Sequence, residues 1–271
     1  MTALPMLTRR NRLWLDAPAF TGMSLFIALA ALPLLAAAAL DPRTFLHAPV
    51  WQKPLQFHLA LCIYTLTLAV FARYLPNGMQ SRRLGIYAGI TCFCMLAELL
   101  WVGGAAAFAT ASHFNTDSLA MHILYGVMGV FAVTLTSASL VMGIGIWRNP
   151  STGLPPALHL SLALGLILTF ILTLIAAGTL SSQTGHLIGT PVTHAALPIL
   201  GWSREVGDLR VPHFFATHTM HALPITGYIA GKLLSPAKAR AVVWAAAATY
   251  AALVAATMVQ AFHGQPFLPA L

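Results

Sequence analysis

Charge is what this chain has least of. Of its 271 residues only 7% are Asp, Glu, Lys or Arg, where a soluble domain carries about 25%. Too few charges remain to build a water-facing surface, which excludes an ordinary soluble globular protein. Acids are scarcer than bases, six against fourteen, and the net charge is +8. Cysteine is scarce and odd in number. Cys62, Cys92 and Cys94 all fall inside apolar runs, which excludes an extracellular disulfide framework and leaves them as small packing residues. No internal repeat and no low-complexity linker is visible, which argues against a transporter built from two inverted halves. No glycine-rich phosphate loop stands between a strand and a helix. The last apolar run has no lysine for a retinal Schiff base. Ser181 and Ser182 lie near His186 but lack an acid–base partner at a workable spacing.

Hydrophobic length is what the chain has instead, with 58% hydrophobic residues. Seven apolar runs stand out, at 19–40, 54–75, 85–108, 118–147, 158–180, 211–233 and 240–262. A bilayer-spanning helix needs about 20 such residues. Strands of an outer-membrane barrel alternate and are about half as long, so a barrel is excluded. The expected fold class is all-α: a polytopic transmembrane bundle of seven spans forming one domain over residues 1–271. Arg9, Arg10 and Arg12 precede the first run, and Ala36 to Ala39 resemble a cleavage region. Its apolar length of about 22 residues exceeds the 7–15 of a signal-peptide core, so a retained anchor is expected.

The basic residues record orientation. Arg9, Arg10, Arg12, Arg73, Arg82, Arg83, Arg148, Lys232, Lys238 and Arg240 flank one set of span ends, and Arg43, Lys53, Arg204 and Arg210 flank the other. That imbalance places the N-terminus in the cytoplasm and the C-terminus in the periplasm of a bacterial inner membrane. Aromatic residues are not interleaved with the bases as a nucleic-acid groove requires, so the partner is a lipid bilayer and no nucleic acid is expected.

Ten of the eleven histidines then fall on the periplasmic side. His47, His113, His186 and His194 lie in connections. His58 and His122 lie one turn into the second and fourth spans. His213, His218 and His221 occupy the outer half of the sixth, His263 ends the seventh, and only His159 is cytoplasmic. At about 100° per residue, Thr217, His221 and His218 follow His213 at about 40°, 80° and 140°, one polar arc on the sixth span. Pro224 is expected to kink that helix beside Met220. Glu98 is the one acid well inside a span and falls within about 15 Å of the outer surface. An intramembrane carboxyl faces the bundle interior and marks a functional site.

Imidazole with carboxylate is the ligand set of zinc, iron, copper and nickel, and paired imidazoles hold haem. Glu98, His122, His218 and His221 are therefore candidate ligands of a transition metal or haem, with His58, His113, His186 and His213 as further candidates, although no complete signature such as H-E-x-x-H is present. Such a pocket would support redox or metal-assisted chemistry on a hydrophobic or quinone-like molecule. Two alternatives stay open: a proton-coupled carrier or sensor that transforms nothing, and a structural subunit of a membrane complex. A structural histidine would simply hydrogen-bond a carbonyl or snorkel.

The longest connection, 181–210, is expected to cap the outer end, with Leu197, Ile199, Leu200 and Trp202 packing onto the bundle and an Asp208–Arg210 ion pair orienting it. Asn115 or Asp117 would cap the fourth helix. Trp51 and Lys53 read as interfacial anchors, while Lys53, Arg210 and His113 would otherwise line a mouth for an anionic or lipid head group, with His186 as a further substrate or loop-orienting candidate.

Three stretches carry a resemblance: Trp51-Gln52-Lys53-Pro54-Leu55-Gln56-Phe57, Ser112-His113-Phe114-Asn115, and Gly201-Trp202-Ser203 followed by Gly207-Asp208-Leu209-Arg210-Val211-Pro212-His213-Phe214. Together with Val259-Gln260-Ala261 and Gly264-Gln265-Pro266, they resemble an uncharacterised family of bacterial polytopic inner-membrane proteins of about seven helices. The resemblance covers most of the chain beyond the first span and implies a membrane bundle without implying an activity. His113, His186, Asp208, Arg210, His213 and His218 carry it more than His58 or His122 do.

Overall fold

The computed structural model describes residues 12–79, 81–116 and 118–269; Arg9, Arg10 and Asp117 lie outside the described residues. After a single turn α1 (Leu13–Asp16), seven long helices follow: α2 (Pro18–Leu40), α3 (Gln52–Phe71), α4 (Arg82–Ala107), α5 (Leu119–Trp147), α6 (Pro156–Ser181), α7 (Arg210–Leu233) and α8 (Pro236–Phe262). Six are long and apolar enough to cross a membrane. The exception is α7, whose histidines, threonines and arginine dilute its apolar residues. Proline opens α2, α6 and α8, where a missing N–H costs nothing. Ser81 and Ser118 cap α4 and α5 by accepting from Leu84 N and Met121 N. The α5 cap is thus Ser118. Asn115 instead donates from its side chain to Ala111 O at 3.2 Å, within its own loop.

Successive helices run up and down, so connections gather at two ends. At one, the C-terminus of α2 meets that of α4, where Arg43 Nη1 donates to Ala107 O at 3.0 Å. The long connection joins the same end, and we call it the loop end. At the other, Asn149 Nδ2 after α5 donates to Tyr74 O after α3 at 2.8 Å, and Trp147 meets Trp244 edge-on.

The centre of the bundle is α6, packed against α5, α7 and α8. Small residues set the spacing. A Cβ on Gly227 would lie 2.0 Å from Ser161 Oγ, so α6 and α7 approach backbone to backbone. Pro224 packs against Gly165 at the same seam, and α7 remains helical through it. On the other side α2 packs along α3, and Phe20, Ile27, Leu68 and Met95 are fully buried there. Tyr64 of α3 reaches into α5. Its hydroxyl accepts from Ser139 N at 3.2 Å and donates toward Leu135 O at 3.0 Å, sitting in the α5 hydrogen-bond ladder. The cysteines are free thiols among the packed side chains.

The long connection is folded. Strands β3 (Leu187–Ile188) and β4 (Gly207–Asp208), numbered after the hairpin strands β1 (Thr44–Phe45) and β2 (Ala48–Pro49), pair antiparallel. A Cβ on Gly207 would lie 1.9 Å from Ala261 O, so β4 is pressed onto the end of α8. Trp202 is buried against Phe214 and Phe267. Ile199, expected to pack inward, is 76% exposed. Its backbone lies in the left-handed region (φ 66°), which turns the side chain out and offers its carbonyl to Gln56. The Glu205 carboxylate gathers Val192 N, Thr193 N, Thr193 Oγ1 and Ala195 N. Beside that turn the His194 ring stacks on His47 of the hairpin, centroids 3.8 Å apart.

Candidate functional site

The loop end of α3 begins with Trp51, Gln52 and Lys53, and each side chain is committed. Trp51 Nε1 donates to Asp41 Oδ2 at 2.8 Å, tying α3 to the end of α2. Gln52 and Gln56 lie one turn apart against Gly201 of the long connection. Lys53 turns inward and donates to His113 Nδ1 at 3.1 Å. The same nitrogen faces Ser112 Oγ at 3.0 Å, so the His113 proton sits on Nε2. Phe57 and Tyr125 flank the ring.

Asp208 organises the other wall. Its carboxylate is fully buried and accepts from Ser203 N at 3.0 Å, from Arg210 N at 3.0 Å, and from Arg210 Nε and Nη2 in a forked ion pair. Arg210 Nη2 also donates to Gly201 O. The expected Asp208–Arg210 pair therefore forms, and it fastens the connection to the first turn of α7. Burial works against the charge on Asp208, but the Arg210 guanidinium holds its carboxyl below the usual range.

Between these walls the charges converge. Lys53 feels Arg210 as a second cation and Glu98 as the opposing carboxylate. Glu98 is 3% exposed and its Oε2 has no hydrogen-bond partner. Burial, reinforced by the Lys53 ammonium, pushes the His113 imidazole down to about 3. Burial and the Arg210 guanidinium, partly offset by Asp208, push His186 down to about 4. Both rings are neutral beside two cations.

A second group runs deeper along α7. His213 lies within electrostatic reach of both His113 and His218. His218 donates from Nδ1 to Phe214 O at 2.7 Å and stacks on the Phe214 ring, which leaves a lone pair on Nε2. His221 Nε2 lies 3.0 Å from Thr67 Oγ1, whose own proton goes to Ile63 O. His221 must therefore donate from Nε2. Its Nδ1 keeps a buried lone pair without a partner.

The remaining candidates stand apart from these groups. His58 is buried and donates to Pro54 O at 2.8 Å, the ordinary helical use of a membrane histidine. His122 is exposed on α5, whereas Glu98 at a similar depth is buried; depth alone could not tell the two apart, because it does not fix which way a helix face turns. Among the described residues no three His, Cys, Asp or Glu side chains are grouped to hold a metal ion. Gln52, Gln56 and Gly201 belong to the site as well. They stand within the stretches that carry the resemblance, but their residue types alone signal no role. No family model, no curated protein and no solved structure matches the chain.

Proposed function

We propose that this is a bacterial inner-membrane protein of seven spans, cytoplasmic at its N-terminus, whose loop-end site binds a small anion from the periplasm and takes up a proton with it. At 24 residues α7 is about 36 Å long, sufficient to cross the hydrocarbon core. Its polar side chains are tolerable there because α6 and α8 pack against it. The basic residues described above support the orientation. No step of bond making is assigned.

One observation carries the reading. Lys53 and Arg210 lie within electrostatic reach of each other, and the nearest neutralising groups are Asp208, already saturated, and the buried Glu98. An anion beside Lys53 would relieve that repulsion. It would also remove the cationic field that helps keep His113 and His186 neutral, so anion and proton would favour each other's binding. The affinity for an anion is then expected to rise as pH falls from 7 to 5. Thermal stabilisation of the purified chain by phosphate, sulfate and a short dicarboxylate, measured across that range, checks this. Lys53→Met should abolish the effect; no anion response in the wild type, or an undiminished one in Lys53→Met, would end the proposal.

A second reading, a transition metal or haem, is favoured by the bare nitrogens of His218 and His221, whose rings lie 5.4 Å apart. Two imidazoles leave the other positions to water or to the cofactor. A Soret band, or stoichiometric metal lost in His218→Ala and His221→Ala, would support it and would open redox or metal-assisted chemistry on a hydrophobic molecule. The chain as a structural subunit predicts neither anion response nor metal.

A further inference from the structure

The end opposite the loop is built differently. Of the five described acids, Asp41, Glu98, Glu205 and Asp208 belong to the loop end, and only Asp16 to the other. Yet that end carries Arg12, Arg82, Arg83, Arg148, Lys232, Lys238 and Arg240. Among the described residues these cations outnumber the acids of that end seven to one.

One place there combines charge with shape. A shallow apolar groove of about 400 Å³ runs between α5 and α6, lined by Ile144, Trp147, Leu164 and Ile167, with Arg148 at its rim. Trp147 meets Trp244 of α8 edge-on, centroids 6.4 Å apart. Arg240 precedes Trp244 by four residues and so stands one turn nearer the bundle end on the same face of α8. Arg148 and Arg240 are both exposed; Arg148 follows Trp147 directly and lines the groove, and Arg240 stands one turn from Trp244, the tryptophan that Trp147 meets.

We infer that this groove is a binding site for one anionic phospholipid. An acyl chain would lie along Ile144, Leu164 and Ile167. The phosphodiester would sit between the guanidiniums of Arg148 and Arg240, with the two indoles at headgroup level. A guanidinium fork matches phosphate oxygens in geometry as well as in charge, and tryptophan favours the depth at which headgroup meets chain. A zwitterionic lipid fits the trough equally well but places its own cation among those of the protein, so the charge supplies the selectivity. This inference is independent of the loop-end site and of the side of the membrane each end faces.

The purified full chain in mild detergent is titrated with phosphatidylglycerol, phosphatidylcholine and glycerol phosphate, while native mass spectrometry counts bound lipid and thermal unfolding reports stabilisation. Phosphatidylglycerol should be retained at one per chain and should raise the unfolding midpoint, and the other two should do neither. The double variant Arg148→Ala, Arg240→Ala should weaken retention by roughly tenfold or more. Trp147→Ala should weaken it less. Arg82→Ala with Arg83→Ala removes the same charge elsewhere on that end and should leave it intact. The inference fails if the Arg82/Arg83 pair matters as much as the Arg148/Arg240 pair, which would make the effect a property of the whole charged face. It fails equally if phosphatidylcholine binds as tightly, or if free glycerol phosphate stabilises the chain as well as the lipid does.

Discussion

The two ends of the bundle solve the same problem in opposite ways. At the loop end, two of the four cations are met by carboxylates inside the chain: Arg210 by Asp208, Arg43 by Asp41. Backbone groups of the long connection are met as well, by the carboxylates of Glu205 and Asp208. At the opposite end Arg12, Arg82, Arg83, Arg148, Lys232, Lys238 and Arg240 are exposed, and apolar grooves lie on α5–α6 and on α7–α8. One end is held together by its own polar groups, whereas the other presents charge outward. A polar site needs the first arrangement, because a buried charge without a partner is costly.

The comparison is broken most forcefully at Asp208. Asp208→Ala removes the acceptor of four donors and strands Arg210, so stability should fall by about 3–5 kcal/mol; thermal unfolding in detergent checks it, and a change under 1 kcal/mol would show that the connection is fastened elsewhere. A somewhat smaller loss, about 1–3 kcal/mol, is expected for Gly227→Ala, where the new methyl meets Ser161 across the helix seam. Double substitution with Ser161→Gly should recover part of it.

Acid sharpens the contrast further. His113 and His186 titrate lower in the folded chain than the ordinary value near 6.5. The unfolded chain therefore takes protons that the folded chain refuses, so the stability these rings allow is complete above that value and is lost as pH falls toward 4. Over pH 6.5 to 4.5, well above the roughly 2 to which hydrogen bonds from Thr193 push Glu205 down, the unfolding midpoint should decline. In the double variant His113→Asn, His186→Asn the decline should flatten. An unchanged slope would mean that other groups govern acid stability. The smallest effect belongs to His122→Ala, which should leave stability and anion response unchanged because that ring is exposed.

Helix positions were legible because they depend on apolar length. All seven expected runs coincide with helices to within a few residues, and proline or serine marks most of their starts. The ion pair of Asp208 with Arg210 was legible because its partners are two residues apart. Convergence over long separations was not. Trp51 reads as an anchor in lipid headgroups, yet it bonds Asp41. The stacking of His47 on His194 joins residues 147 positions apart through left-handed backbones at both, and residue type gives no hint of that pairing. Glu98 and His122 share a depth but not a facing direction, which depends on how α4 and α5 are rotated against their neighbours.

The Tyr64 hydroxyl lodged in α5 ties these observations to motion. Lys53 and Tyr64 belong to one uninterrupted helix, eleven positions and about 16 Å apart. A helix transmits axial displacement almost without stretching. Any sliding of α3 that repositions Lys53 at the mouth therefore drags an oxygen wedge through the middle of the neighbouring rod, where α5 is stitched together by that atom.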